Sequence, residues 1–430
     1  MKKNLIVSLI LFLPLLSCSH EKTEDTKEFV RVENGEFMIG DSVYRFVGTN
    51  FWYAPIIASE GRGGNRKRLS QELDTLQKYG INNLRILVGG DGEENIPSHV
   101  MPVLQTSPGV YNDTILDGLD YLMAELEHRG MKAVLYLNNA WEWSGGYGSY
   151  LDWAGAGKTP NPSIDGYQAY MDHVAQFVKN DSAKLLASNH ICNIVGRTNR
   201  YTNEPYTESE ALMAWQIANE PRAFAADSIT KNAFAQWISN QAALIKSIDP
   251  NHLVSTGSEG KHGCENDLDL WETIHLDPNI DYGIIHLWPY NWAWVNETNL
   301  VENVDTAIMN AKKYILPHYS SMKNASKPLV MEEFGYPRDG FVFTPGSQTQ
   351  GRDKFYEFVF SLITDEKILN GCNFWGWGGL ANPAHERWEI WDDYTGDPAQ
   401  EQQGLNSVFA ADISTLNVIS EASKKLKAAN

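Results

Sequence analysis

The chain is 430 residues long, 43% hydrophobic, and carries 54 acidic against 35 basic side chains, a formal net charge of −19. That length suits one large α/β barrel or two smaller domains. The acidic balance, with no basic cluster beyond Arg62–Arg68, argues against nucleic acid or an anionic membrane surface as partner, whereas a neutral polysaccharide would be indifferent to it.

The first eighteen residues have a basic start and a short apolar core, the pattern of a secretory signal too short to span a bilayer. Leu15-Leu16-Ser17-Cys18 resembles a bacterial lipoprotein cleavage site. This predicts an exported protein at the outer membrane, cell surface or periplasm, touching membrane only through a lipid at Cys18. Residues 19–29 are charged and read as a flexible tether, leaving 30–430 as one folded domain. Three further cysteines, Cys192, Cys264 and Cys372, are odd in number and form no CxxC pair, which argues against a disulfide framework or structural zinc. A single disulfide among them stays open.

Val30–Phe37 and Ser42–Phe46 read as a hairpin that would plug the bottom of a barrel. Strand signals follow at Tyr44–Asn50, Ile81–Val88, Lys132–Asn138, Met213–Glu220, Leu253–Ser258, Tyr282–Trp288, Leu329–Glu333 and Cys372–Trp377. Helical spacing lies between them, at Arg66–Tyr79, Ile115–Arg129, Asn232–Ile248, Val301–Ile315 and Lys354–Ile363. Eight strands alternating with helices predict an α/β fold, a (β/α)8 TIM barrel forming a single catalytic domain. No P-loop or dinucleotide fingerprint opens any helix, so no cofactor is expected.

In such a barrel the chemistry sits where strands end. Met213-Ala-Trp-Gln-Ile-Ala runs apolar and then switches to Asn219-Glu220-Pro221-Arg222, where Pro221 would stop the strand at Glu220. Pro328-Leu-Val-Met-Glu-Glu-Phe-Gly335 repeats the design with Glu333, and alternation predicts that Glu332 points away if Glu333 points in. The other strand ends carry Asn50, Trp52, Arg85, Asn138, Asn139, Trp141, Trp143, Glu259, His286, Trp288, Trp375 and Trp377. No metal-ligand spacing occurs among them. Two glutamates on opposed strands suit glycoside hydrolysis, which needs an acid and a base or nucleophile about an anomeric carbon. Tryptophans would offer stacking faces, and Asn or Arg would meet sugar hydroxyls.

These motifs, with Gly48-Thr-Asn-Phe-Trp52, Asn83-Leu-Arg-Ile86, Gly257-Ser-Glu-Gly260 and Asn373-Phe-Trp375, resemble the retaining β-mannanases and β-mannosidases of glycoside hydrolase family 5, clan A. The resemblance implies Glu220 as acid/base and Glu333 as nucleophile. It implies Asn219 on the sugar 2-hydroxyl, Arg85 polarising Glu333, His286 orienting the acid/base, Trp375 as sugar platform and Arg222 on the leaving-group side. Trp52, Asn139, Trp141, Trp143 and Trp288 complete the expected substrate-binding set. His286-Leu-Trp288 departs from the His-x-Tyr of many mannanases and, with Gly396-Asp-Pro398, resembles a branch that includes exo-acting β-mannosidases.

The activity implied first is mannan endo-1,4-β-mannosidase, acting on β-mannan or mannooligosaccharides. The alternatives are an exo-acting β-mannosidase or another β-1,4-glycanase cutting glucan or glucomannan. The rival from another class is a surface glycan-binding protein without catalysis. A long insertion, Trp141 to Glu210, holds Trp143, Tyr147, Tyr150 and Trp153, which could wall off the non-reducing side of the cleft. Arg85 is expected to keep Glu333 charged while Glu220 titrates higher.

Overall fold

The computed structural model describes residues 27–96 and 98–429; the expected signal sequence, Cys18 and most of the tether lie outside them. Eight parallel strands form the centre: β1 (Phe46–Asn50), β2 (Asn83–Leu87), β3 (Lys132–Tyr136), β4 (Leu212–Gln216), β5 (Leu253–Ser255), β6 (Gly283–Leu287), β7 (Leu329–Phe334) and β8 (Gly371–Phe374). Their ladders run β5-β4-β3-β2-β1-β8-β7-β6. The two ends meet without a ladder: Asp281 N–H donates to Val254 O at 2.8 Å and Ser255 Oγ to Tyr282 O at 2.8 Å. The ring is therefore the expected (β/α)8 barrel, sewn shut at one seam by a few bonds.

Eight main helices surround it: α1 (Arg66–Lys78), α2 (Asp113–His128), α3 (Asp181–Val195), α4 (Ser228–Ile248), α5 (Leu268–His275), α6 (Val304–Asn324), α7 (Gln350–Thr364) and α8 (Ile413–Ala429). Local chemistry starts five of them. Asn65, Asn112, Asn180, Asp227 and Asp267 each accept a backbone N–H from the first turn of α1 to α5, the N-cap device that satisfies an orphan donor. Along α1, Leu69, Leu73 and Leu76 are fully buried, one face of a 3.6-residue repeat.

The bottom plug forms as three short antiparallel strands, Arg31–Glu33, Glu36–Ile39 and Ser42–Val43. The sequence reading ran straight through the turn at Asn34-Gly35, where φ is +53° and +81°, the left-handed pair that a tight hairpin needs. Val30, Phe37 and Phe46 pack with Val134, Met213, Leu253, Ile284 and Val330, from the lower halves of the strands. The end of the expected tether is docked rather than free: Lys27 Nζ lies 2.7 Å from Glu204 and the Phe29 ring sits edge-on to His252.

Two departures from strand regularity shape the upper rim. β4 ends at Gln216, not at Glu220; Glu220 follows with φ +46°, its N–H donating to Gly257 O at 2.9 Å. A Cβ on Gly257 would come within 1.8 Å of Ala218 O, and φ there is +83°, so only glycine fits. In β7 the register jumps from Ile285↔Met331 to His286↔Glu333. This bulge spends one residue on Glu332 and cancels the alternation. Glu332 therefore does not point away: it is buried inside, accepting from Tyr282 Oη at 3.2 Å and from Gln216 Nε2.

The β3–β4 insertion is largely helical, with Gly146–Trp153, Pro162–Asp165 and Tyr167–Val174 preceding α3. Tyr147 and Tyr150 are fully buried. Tyr147 stacks on Phe177 at 3.9 Å between ring centres and meets Trp237 edge-on. They fill core beneath the rim and do not face the cleft.

Candidate active site

A cavity of about 320 Å³ opens over the C-terminal ends of the strands, with Glu220 and Glu333 in its floor. Asn219, Glu220, Glu333, Trp141, Trp143, Trp288 and Trp375 line it as the sequence predicts. One carboxylate oxygen of Glu220, one of Glu333 and a ring nitrogen of His286 lie within 4.8 Å of one another. These three could converge on a cation, but Arg85 already supplies the compensating charge at Glu333.

Arg85 binds every acceptor around it. From β2 its guanidinium donates to Glu333 Oε1 and Asn50 Oδ1 (3.0 Å) through Nη1, to Asn219 Oδ1 through Nη2 (3.0 Å) and to Gln216 Oε1 through Nε (2.8 Å). Nε also lies 3.6 Å from Glu332, and the group sits 4.3 Å over the Tyr136 ring. It is wholly buried and does not line the cavity, so it acts on a ligand through Glu333 and Asn219 instead of touching it.

Glu220 is held by three uncharged donors. Trp141 Nε1 reaches Oε2 at 2.5 Å, while His286 Nδ1 (2.9 Å) and Trp288 Nε1 (3.4 Å) reach Oε1. His286 Nδ1 is also 3.3 Å from Glu333. Burial holds the imidazole down at about 4, so at neutral pH it is an uncharged donor bridging the two carboxylates. Burial pushes Glu333 well above the ordinary carboxylate range despite Arg85. Burial acts the same way on Glu220, but the His286 hydrogen bond, with the Arg222 charge and the Trp141 hydrogen bond, outweighs it and leaves Glu220 lowered. These two directions are the reverse of the sequence expectation. The physical reason is that Arg85 also serves Glu332, while burial outweighs its charge at Glu333.

Several expected contacts stand one layer back. Asn139 accepts from Trp141 N–H (3.0 Å) and Asn219 Nδ2 (3.2 Å) and so fixes both. Trp52 donates to Gly396 O at 2.9 Å and backs Trp143 edge-on at 5.7 Å. Arg222 pairs with Glu259 and lies 5.2 Å over the Trp141 ring; Glu259 itself reaches the cavity wall. Trp375 meets Trp143 and Trp288 edge-on at 6.4 and 6.0 Å, leaving three indoles around one space.

The sequence reading missed Glu142, Tyr167, Met171, Asn291, Trp292, Pro398, Gln400 and Glu401, which complete the lining. Burial raises Glu142 to about 6 and Glu401 to about 8. All eight sit on loops or short helices outside the barrel strands, where no periodicity marks an inward side; the Trp pair around Glu142 and the Gly396-Asp-Pro398 motif were the available signals.

Residues 27–430 match the family model described as GH family 5 beta-mannosidase-like. A glycoside hydrolase family 5 mannosidase from Rhizomucor miehei is similar in structure, with a TM-score of 0.85 at 30% identity, over 94% of this chain and 98% of that one. An endo-beta-1,4-mannanase from Thermotoga petrophila gives 0.64 at 25% identity, over 89% of this chain and 76% of that one. Mannan endo-1,4-beta-mannosidase 7 of Arabidopsis thaliana is 28% identical over 410 residues, 93% of this chain and 85% of its own.

Replacing Arg85 tests its place at the centre. Arg85→Met strands Glu332 and Glu333 as buried carboxylates without a counter-charge, and urea unfolding should show a loss of about 3–5 kcal/mol. Arg85→Lys returns a point charge but not the fork, so it should recover only part. Equal stability of Met variant and parent would show that the charge is not needed.

Proposed function

The chain belongs to the β-mannosidase-like group of glycoside hydrolase family 5, and we propose that it is an exo-acting β-mannosidase releasing mannose from β-1,4-linked chains with retention of configuration. The lining of the cavity carries this reading. Glu142 and Tyr167 from the β3–β4 insertion, with Pro398, Gln400 and Glu401 from the segment after β8, bound the cavity that holds the two glutamates, which suits a chain end rather than a chain passing through. The higher TM-score to the Rhizomucor miehei mannosidase than to the Thermotoga petrophila mannanase supports it.

In this mechanism Glu333 attacks the anomeric carbon and forms a glycosyl-enzyme, while Glu220 protonates the departing oxygen and then takes a proton from water. Carboxylate oxygens within 4.8 Å suit the separation of about 5–5.5 Å of retaining pairs better than the ~6.5–9.5 Å of inverting ones. Neutral His286 holds Glu220 in line, Arg85 orients Glu333, and Asn219 meets the sugar 2-hydroxyl. Trp375 forms the floor under the reacting ring. Glu220 must carry the proton, and Glu333 must be ionised, when the bond breaks.

A second reading, an endo-acting mannanase, is favoured by the names of curated relatives such as the Arabidopsis thaliana protein and by an open groove beside the cavity. Time-resolved products from mannohexaose and linear mannan separate the two. Mannose alone with unchanged polymer viscosity is the expected result; an early ladder of oligosaccharides with falling viscosity means endo action.

The carboxyl pair holds two protons at low pH, one in the working range and none at high pH. Activity should therefore be bell-shaped, falling on the acid side as Glu333 protonates and on the basic side as the shared proton is lost. With an activated aryl β-mannoside, Glu220→Gln should keep the acid limb and lose the basic one. A basic limb unchanged in that variant would remove Glu220 from the acid role.

We further propose that the protein is exported and lipid-anchored at Cys18. Cys18→Ala should shift it from the membrane fraction to the soluble one, and unchanged partitioning would refute the anchor.

A further inference from the structure

A larger hollow, about 1110 Å³, lies alongside the catalytic cavity, walled by residues 92–95, the helix Gly146–Trp153 and the turn at 155–165. Glu142 lines both hollows. The residue is 3% exposed. Oε1 accepts from Tyr167 Oη at 3.2 Å, whereas Oε2 is buried with no hydrogen-bond partner. Tyr167 is the first residue of its helix, directly after Gly166, and its ring stands edge-on to Trp141, the indole that holds Glu220. The two side chains thus form a thin wall next to the acid/base. On its far side the groove has Trp153 and open backbone at Gly155 and Gly157, where a Cβ would meet nothing within 4 Å.

We propose that Glu142 and Tyr167 are the partition that decides where this enzyme cuts a β-mannan chain by stopping the chain end. This rests on the exo reading above and adds the residues responsible. The wall blocks an internal segment by bulk, and the Tyr167 hydroxyl, by donating to Glu142 Oε1, holds the two side chains in that place. Without it, the cavity and the groove become one cleft, in which a neutral glycan could lie across the two glutamates.

The test is the early product pattern of full-length protein on mannohexaose. Wild type should release mannose alone; a ladder from wild type would sink the exo reading itself, and the partition with it. With wild type exo, the double variant Glu142→Ala/Tyr167→Ala should produce mannobiose and mannotriose from the first minutes. Glu142→Gln, which keeps the bulk, should still give only mannose. Mannose alone from a double variant that melts like wild type overturns the proposal, as does a ladder from Glu142→Gln. If the double variant does not fold, Tyr167→Phe decides. It deletes only the hydrogen bond and should make mannobiose appear above the wild-type level; no increase overturns the partition.

Discussion

A guanidinium sealed in the centre of a barrel must be answered by charge, because the interior offers no water to do it. Arg85 is that group here, and its partners are drawn from three strands or their ends: Asn50, Gln216, Asn219, and Glu332 with Glu333. Removing it from the barrel would leave two carboxylates facing each other in a dry core. The same fork sets the position of Glu333 and, through Asn219, that of the residue next to Glu220. Core stability and site geometry are in this place one requirement. That makes the catalytic floor rigid in a way that loops alone could not achieve.

Around that floor the labour is divided by height. The hairpin plug and the lower strand residues close the barrel with apolar contacts remote from the chemistry. The strand ends hold the glutamates, His286 and Trp375. The rest of the wall is built by two segments distant in sequence, the β3–β4 insertion and the residues after β8, which bring Glu142, Tyr167, Gln400 and Glu401 to the cavity. The two glutamates therefore sit on the regular part of the fold, while much of the cavity wall belongs to the irregular part.

The eight strands, both glutamates and most of the indole ring were legible because each depends on local pattern: a buried apolar run, then an abrupt polar end. What failed were the places where one residue breaks the pattern. Alternation sent Glu332 outward, and a single bulge against Ile285 and His286 turned it inward. Pro221 suggested that β4 ran to Glu220, yet the strand ends at Gln216. The run of Tyr147 and Tyr150 among glycines looked like a rim and proved to be core, since Phe177 and Trp237, distant in sequence, cover those rings. The proton balance between the glutamates was misjudged for a related reason. It depends on how completely Glu333 is dried and on Arg85 being shared with Glu332, neither of which spacing reveals.

Gly257 carries a consequence of its own. It never meets a ligand, yet its carbonyl holds the backbone of Glu220, and any side chain on it would strike Ala218 O. The loop after β5 thereby acts as a template on which the neighbouring loop is cast. Variation that respects every contact in the cavity can still disarm the enzyme from there. A side chain at this silent position would push Glu220 off its seat while leaving every group in the cavity lining unaltered.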